Sequence, residues 1–496
     1  MASAAARLAV APHELSRARR YGVLAICCMS LLIVGLDNTI VNVALPSIGR
    51  ELHTGVSGLQ WTIDAYTLVL ASLLMLSGST ADRLGRKRTF QTGLVLFGLG
   101  SLACSLAPNL GLLILFRALQ AVGGSMLNPV AMSIITNTFL EPRERAQAIG
   151  LWGAVVGLSM GLGPVLGGLL VTSGGWRSIF WINVPIALAA CLLTARFIPE
   201  SRAPRPRRFD PVGQLCVVAL LGCLTFGIIE GPSLGWASPA IVGVFVAAVA
   251  ALVGLLLYEP RRREPLLELA FFRSIPFSGA TVIAVAAFAS LGGFLFLNTL
   301  YLQDDRHLSA FRAGLDTLPM AAMTIVLAPL SGWLVGRRGS RPSLVIAGLG
   351  LTVSAAMLTI ISGSTSFTWL FVSYVLFGVG FGMVNAPITN TAVSGMPKEQ
   401  AGVAAGVAST SRQIGQTFGV AVLGTMAVSA IGGNSAPHLA LASHPGWWTI
   451  VGCGSAILLL GILTTTRFAL ASAKRVATNV PAGKLRDGLV VAGPTS

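Results

Sequence analysis

The sequence predicts an all-α membrane protein built as two six-helix bundles with two further helices inserted between them. Three observations carry that prediction: fourteen long apolar runs, basic residues gathered in alternate loops, and a loop motif that recurs in the second half of the chain. Of the 496 residues, 54% are hydrophobic and only 10% charged. Soluble domains carry about a quarter charged residues, so an ordinary soluble enzyme is excluded. So many apolar side chains exclude a disordered chain as well. A run of roughly 20 apolar residues crosses a hydrocarbon layer about 30 Å thick. Lipid offers backbone N–H and C=O groups no partner, so each run must satisfy its own as a helix; the runs are too long for barrel strands.

In chain order the predicted spans are 21–43, 59–79, 90–107, 110–135, 147–171, 179–198, 211–231, 238–258, 276–301, 313–335, 343–361, 367–392, 402–431 and 447–468. They divide the chain into a tail (1–20), a first bundle (21–198), basic linkers carrying the inserted pair (199–275), a second bundle (276–468) and a tail (469–496). The linker PESRAPRPRRFD (199–210) closes the first bundle and EPRRREPLLELAFFRSI (259–275) leads into the second. The closing tail is polar and reads as loose beyond residue 470. The opening tail is polar with no cleavage-site pattern, so it reads as a tail and not as a signal peptide.

Orientation follows from the basic residues. With the N-terminus in the cytoplasm, twenty-eight of the thirty-four lysines and arginines lie in the tails and even-numbered loops or, as Arg196 and Arg467 do, at the span ends beside them. The odd-numbered loops hold Arg50, Arg177, Arg306 and Arg312, and Arg117 and Arg412 lie within spans. This is the positive-inside bias. It also tests the count, since one missed span would invert every later loop. Both termini are therefore expected in the cytoplasm. Trp61, Trp176, Trp181, Trp236, Trp369, Trp447 and Trp448 fall near span ends, where interfacial anchors belong.

The net charge of +16 would suggest nucleic acid in a soluble chain. Here the basic residues sit in short loops without interleaved aromatics, so no nucleic-acid partner is expected. Arginine outnumbers lysine thirty to four, as a GC-rich bacterial genome would produce. The seven cysteines all lie inside apolar runs with no C-x-x-C pair or Cys/His cluster, so no metal site is expected. The sequence contains no G-x-x-x-x-G-K-[ST] loop, so no nucleotide is expected either, and no catalytic triad stands out.

The loop segment GSTADRLGRKR (78–88) has an echo in GWLVGRRGSRP (332–342): a shift of 254 residues superposes Gly78 on Gly332, Arg83 on Arg337 and Gly85 on Gly339. Asn128-Pro129 in span four is echoed by Asn385-Ala386-Pro387 in span twelve. Two duplicated six-helix halves explain both, and duplicated halves with a mid-membrane substrate site are a transporter architecture. In the first loop, glycines permit a tight bend. Asp82 can pair with Arg86 or cap the next helix. Gly78, Asp82, Arg83, Gly85 and Arg86 thus read as a latch holding one arrangement of the halves. Positive-inside charge alone would account for the basic residues but not for the aspartate or the glycines.

Asp37 lies within the first span, where an ionised carboxylate costs roughly 2.5–3.5 kcal/mol. Desolvation disfavours its charge while a nearby cation favours it, the competition a coupling residue requires. A structural hydrogen bond with Asn38 and Asn42 as polar neighbours is the alternative. Arg117 in span four keeps its charge and must face the interior, either to hold and release a carboxylate or as a static pair. For both, a role in coupling would be lost if the side chains pointed at lipid or were loosely hydrated outside the gap between the halves. Arg412, with Gln413 and Gln416, forms a polar patch in span thirteen that reads as cavity or interface. Asp64 is either a helix cap or a cavity residue. Glu230 and Asp316, near span ends, and Asp304 and Asp305, in a loop, read as solvated. Span five carries Gly157, Gly161, Gly163, Pro164, Gly167 and Gly168. Its 157/161 and 163/167 pairs admit a neighbouring helix at close range, and Pro164 permits a kink.

With these residues in view, the sequence closely resembles the major facilitator superfamily, and within it the fourteen-helix drug:proton antiporters. GSTADRLGRKR is similar to that superfamily's loop signature between helices two and three. LDNTIVNVALPSI (36–48) resembles the branch's first-helix motif. LFRALQAVGGS (115–125) is similar to the helix-four motif with its embedded arginine, and GLSMGLGPVLGG (157–168) to the helix-five antiporter motif. WRSIFWINVP (176–185) resembles the opening of helix six, and AGVAAGVASTSRQIGQTFGVAVLG (401–424) the thirteenth helix. The second loop motif departs from the pattern, with Gly336 where the first has Asp82. The resemblance implies the major facilitator fold and efflux of small amphipathic or cationic drugs from a bacterial inner membrane. It implies energy from the proton gradient with no cofactor, and a part in proton coupling for Arg117. Its partners would be drug-like molecules, protons and the bilayer. An exporter of one endogenous metabolite, an importer of the same fold and a non-transporting receptor or scaffold are the rival readings.

Overall fold

The computed structural model describes residues 16–203, 209–262, 265–266, 268–394, 401–431 and 439–479, and these contain helices and no strand. The first bundle comprises α1 (Arg17–Glu51), α2 (Val56–Leu84), α3 (Arg86–Ser105), α4 (Leu110–Ser125), α5 (Asn128–Thr138), α6 (Pro142–Gly174), α7 (Ser178–Trp181) and α8 (Asn183–Phe197). The inserted pair is α9 (Pro211–Leu234) and α10 (Pro239–Tyr258). The second bundle comprises α11 (Ile275–Leu300), α12 (Ala310–Asp316), α13 (Leu318–Arg338), α14 (Ser340–Leu358), α15 (Phe367–Val393), α16 (Ala401–Ile431) and α17 (Leu439–Leu463), followed by α18 (Arg467–Asn479). Counting broken pairs as one, twelve helices among the described residues are long and apolar enough to cross a membrane. The remaining predicted spans fall on α3 and α16, of 20 and 31 residues; α3 opens on Arg86, Lys87 and Arg88, which lowers its apolarity.

Three spans are broken, and a proline explains each break. Proline lacks an N–H and crowds the carbonyl four residues back. Pro129, Pro185 and Pro319 direct that effect at Ser125, Trp181 and Leu315, where α4, α7 and α12 end or nearly end. Pro164 leaves α6 unbroken, and Pro387 leaves α15 unbroken. In α15 the carbonyl of Met383, which Pro387 cannot use, accepts the Ser331 hydroxyl at 2.9 Å.

The tails differ from expectation. α1 begins at Arg17, four residues before the predicted span, because Ser16 caps it by accepting the Arg19 N–H at 3.3 Å. The closing tail is helical to Asn479 instead of loose: α18 buries Ala469 and Ala473, and Ser472 accepts the Ile275 N–H at 3.0 Å. Residues 480–496 lie outside the described residues. Two of the expected interfacial tryptophans are core residues. Trp176 donates to Glu51 at 2.7 Å, and Trp447 donates to Ser443 and packs on Phe294. Trp181, Trp236, Trp369 and Trp448 are exposed, as anchors should be.

The repeat has a structural counterpart. Gly85 and Gly339 both take positive φ, +114° and +76°, each closing one helix by donating to the carbonyl four residues back and opening the next. The bundles meet along two seams, α2 against α16 and α6 against α12 and α13. The repeat relates span two to span ten and span five to span thirteen, so each seam is the image of the other.

Both seams are tight at the end far from the basic loops and part toward the basic end. A Cβ on Gly168 would lie 2.5 Å from the Ala310 carbonyl; on Gly161 it would lie 3.1 Å from Ile325, on Gly157 3.5 Å, and around Gly150 nothing lies within 4 Å. On the other seam, Gln60 donates to the Val420 and Ala421 carbonyls and Thr417 meets Thr67 at 2.9 Å. Further down, Gly78 and Gly406 have nothing within 4 Å. The structure is closed at the far end and open at the basic end. α9 lies against both α2 and α16, and α10 rests on α9 with Val242, Val246, Val249 and Leu256 exposed.

Candidate functional site

Asp37 and Arg117 meet in the first bundle, 0% and 1% exposed, with Oδ2 2.6 Å from Nη1. Helix geometry aims both inward: Asp37 sits on the buried face of α1, and Arg117 is flanked on α4 by Leu113 and Gln120. The second carboxylate oxygen accepts from Gln120 Nε2 at 2.8 Å and Asn183 Nδ2 at 3.0 Å. Arg117 donates in addition to the Thr62 carbonyl at 3.1 Å and Gln120 Oε1 at 2.8 Å, with its guanidinium 4.2 Å from the Tyr66 ring centroid. Asn183 reaches Ser101 at 3.1 Å. Five helices, α1 to α4 and α8, thus converge on one carboxylate in a buried interior. The pair faces neither lipid nor the gap between the halves, because every partner belongs to the first bundle. Direct competition between a proton on Asp37 and cargo in the gap is therefore not built into this arrangement; any link runs through the helices. Gln120, Asn183, Thr62 and Tyr66 are site residues that sequence reasoning missed, although Gln120 lies one helical turn from Arg117.

The other candidates divide. Asp64 is buried eight residues inside α2, whose cap is Gly55, so it is not a helix cap. Its Oδ1 accepts from Thr67 at 3.4 Å and its Oδ2 has no partner. Asn42 bonds back to the Asn38 carbonyl at 3.1 Å, and the Oδ1 atoms of Asn38, Asn42 and Asn128 are buried without partners. Thr39, Asn42, Pro164, Asn298 and Thr317 line a small pocket between the halves at the closed end. Arg412 donates to Ser409 and Thr389, Gln413 and Asn385 are half-buried, and Gln416 is buried against Gly292. Glu230, expected in solvent, accepts from Trp61 at 2.7 Å, and Asp316 is buried with Arg312 at 3.3 Å, because helices pack over both ends. Asp305 accepts the Ala440 N–H at 2.9 Å, and Asp304 lies 3.8 Å from Arg50.

The span-five glycines split by partner. Gly163 and Gly167 close on Thr39 and Ile40 of α1, while Gly157, Gly161 and Gly168 face α12 and α13; the Pro164 carbonyl lies against Gly314. In the loop at 78–88, Arg86 pairs with Asp82 at 3.0 Å. Glu200 clasps the bend: its carboxylate accepts from the Lys87 and Arg88 N–H groups at 3.1 and 3.3 Å and fills the space where a Gly85 side chain would go. The Ser201 carbonyl accepts the Arg86 N–H at 2.9 Å, and Ala203 donates to the Asp82 carbonyl. These contacts tie the loop to the linker of its own bundle. Gly78 has no neighbour within 4 Å, and Arg83 is exposed.

Residues 27–420 match the model of the Major Facilitator Superfamily. The chain is 38% identical over 412 residues to "Multidrug resistance protein Stp" of Mycobacterium tuberculosis, covering 83% of this chain and 76% of that one. It is 37% identical over 418 residues to "Tetracenomycin C resistance and export protein" of Streptomyces glaucescens, covering 84% and 77%. Its fold is similar to the bacterial homologue of the human lysosomal transporter Spinster, with a TM-score of 0.66 at 18% identity over 93% of this chain and 98% of that one. It is also similar to the Escherichia coli xylose transporter XylE, with a TM-score of 0.63 at 14% identity over 92% and 99%. The family and these neighbours are transporters and not enzymes, and this chain belongs to the Major Facilitator Superfamily.

Proposed function

We propose that this protein exports small drug-like molecules in exchange for protons, as a member of the fourteen-helix antiporter branch in a bacterial inner membrane with both termini cytoplasmic. The observation that carries the reading is Asp37, a fully buried carboxylate held by Arg117, Gln120 and Asn183. A neutral carboxylic acid loses its ion pair with Arg117, so protonation releases the contacts that fix α1, α4 and α8 to one another. The basic end is then the cytoplasmic end, and the structure is the inward-facing state with Asp37 ionised and ready for cargo. Cargo enters from the cytoplasm or inner leaflet, the halves rock about the seams, and cargo leaves outside. Asp37 takes a proton there and gives it up after the return. One charge crossing 100 mV supplies about 2.3 kcal/mol, about a fifty-fold gradient of cargo. No step calls for a nucleotide or cofactor.

The test is dye efflux from cells expressing wild type or Asp37→Asn at matched levels, with and without an uncoupler. Uncoupler-sensitive efflux lost in Asp37→Asn is the expected result, and wild-type efflux by Asp37→Asn sinks the coupling role. Cargo accumulation in right-side-out vesicles under an inward proton gradient would make the protein an importer. The Streptomyces relative named for a single antibiotic favours a second reading, a dedicated exporter. Protection against only one of a panel of unrelated toxic compounds would establish it.

A further inference from the structure

We propose that Arg412 is an anion-binding group in the wall of the cavity at the basic end, so that cargo bearing a carboxylate is preferred to the same molecule without it. The word cargo rests on the export reading above; the binding site does not.

The cavity wall is recognisable by its chemistry. The polar strip of α15 carries the half-buried Asn385 and the exposed Thr389 and Asn390, whereas the exposed strip of α10 carries Val242, Val246, Val249 and Leu256. Amide and hydroxyl side chains on a membrane helix face a water-filled space and not lipid. Arg412 on α16 joins that strip through Nη2, which donates to Thr389 Oγ1 at 2.5 Å. Its Nη1 donates to Ser409 Oγ at 3.4 Å, and its Nε–H has no acceptor among the described residues.

Both acceptors are neutral hydroxyls. Among the described residues no carboxylate lies within 4.0 Å of this guanidinium, in contrast to Arg117 with Asp37. Of the buried acids, Asp37 belongs to Arg117, Asp316 to Arg312 and Asp210 to Arg262, Asp64 is sealed beside Thr67, and Glu259 stands at the end of α10. A guanidinium presents five N–H donors in a planar fork that matches a carboxylate or sulfonate bidentately. With a fork partly unused and no counter-charge among the described residues, the complement comes from the ligand. An anion leaving the cytoplasm also moves with the membrane potential, so such cargo adds to the driving force of the exchanged proton.

The matched probes are rhodamine 110, which carries a free carboxylate, and rhodamine 123, its methyl ester. Fluorescence anisotropy on the purified full-length protein in lipid nanodiscs, with no gradient, reads their affinities. Wild type is expected to bind rhodamine 110 about tenfold more tightly. Arg412→Gln removes that preference by weakening rhodamine 110 alone, and Arg412→Lys keeps part of it. Thr389→Val, which leaves the charge but removes its anchor, also loses part and serves if Arg412→Gln does not fold. Equal affinities in wild type, tighter binding of the ester, no binding of either dye, or a preference that survives Arg412→Gln overturns the proposal. Loss of uncoupler-sensitive efflux with the preference intact would count against export and leave this site standing.

Discussion

Arg117 holds its charge under all physiological conditions, so Asp37 is the member of the pair that can change. Removing the cation alone strands a carboxylate among groups that cannot neutralise it, at a penalty of roughly 3–5 kcal/mol. Arg117→Gln is therefore expected to lower thermal stability in detergent, and Asp37→Asn in the same chain to restore part of it. A double variant no more stable than the single one would show that the pair is not electrostatically coupled. The two charged members were legible because a charge inside an apolar run stands out. Their neutral partners were not: Asn183 lies 146 residues from Asp37, and no local pattern says which asparagine will reach it. Trp176 and Trp447 were misread for a related reason. Nearness to a span end fixes depth in the membrane but not the face of the helix that carries the ring.

Among elements, the helix breaks were written in the chain, since Pro129, Pro185 and Pro319 each stand four residues past an interrupted turn. That Pro387 leaves its helix whole depends on Ser331, 56 positions away in sequence, and periodicity is blind to it. Glu200 escaped notice because it lies in a linker whose charges read as orientation signals. The tight glycines of α6 were legible as close-packing positions, but not which neighbour each would meet. Gly168 meets the Ala310 carbonyl with no room for a side chain. Gly168→Val is expected to force α6 from α12 and open the far end, read as faster labelling of a cysteine at Asn42 by a membrane-impermeant reagent. Gly157→Ala, with Ile325 at 3.5 Å, should leave the labelling rate unchanged. Equal rates in Gly168→Val and wild type would mean that this contact does not hold the end shut.

At the scale of the whole molecule, four glycines occupy matched places where the halves have parted: Gly78 with Gly406 on one seam, and Gly150 with Gly332 on the other. In this conformation none of them has a neighbour that requires a missing side chain. Their smallness has a use only when the basic end closes. Gly406→Leu and Gly150→Leu should therefore keep wild-type thermal stability and dye binding but lose transport, because the alternate state is blocked. Transport at the wild-type rate would show that the seams never close there. The inserted pair has its own bearing on this motion. Among the described residues, α9 is fastened to α2 by Gln214 on the Ser72 carbonyl and by Trp61 on Glu230, but to α16 by a single hydroxyl, Thr425 on the Ile228 carbonyl. If the halves rock as proposed, the slip plane of the cycle runs between α9 and α16. On that proposed cycle the extra hairpin travels as a passenger of the first half, and the Thr425 bond, like the Gln60 and Thr417 bonds of the adjoining seam, is remade on every turnover.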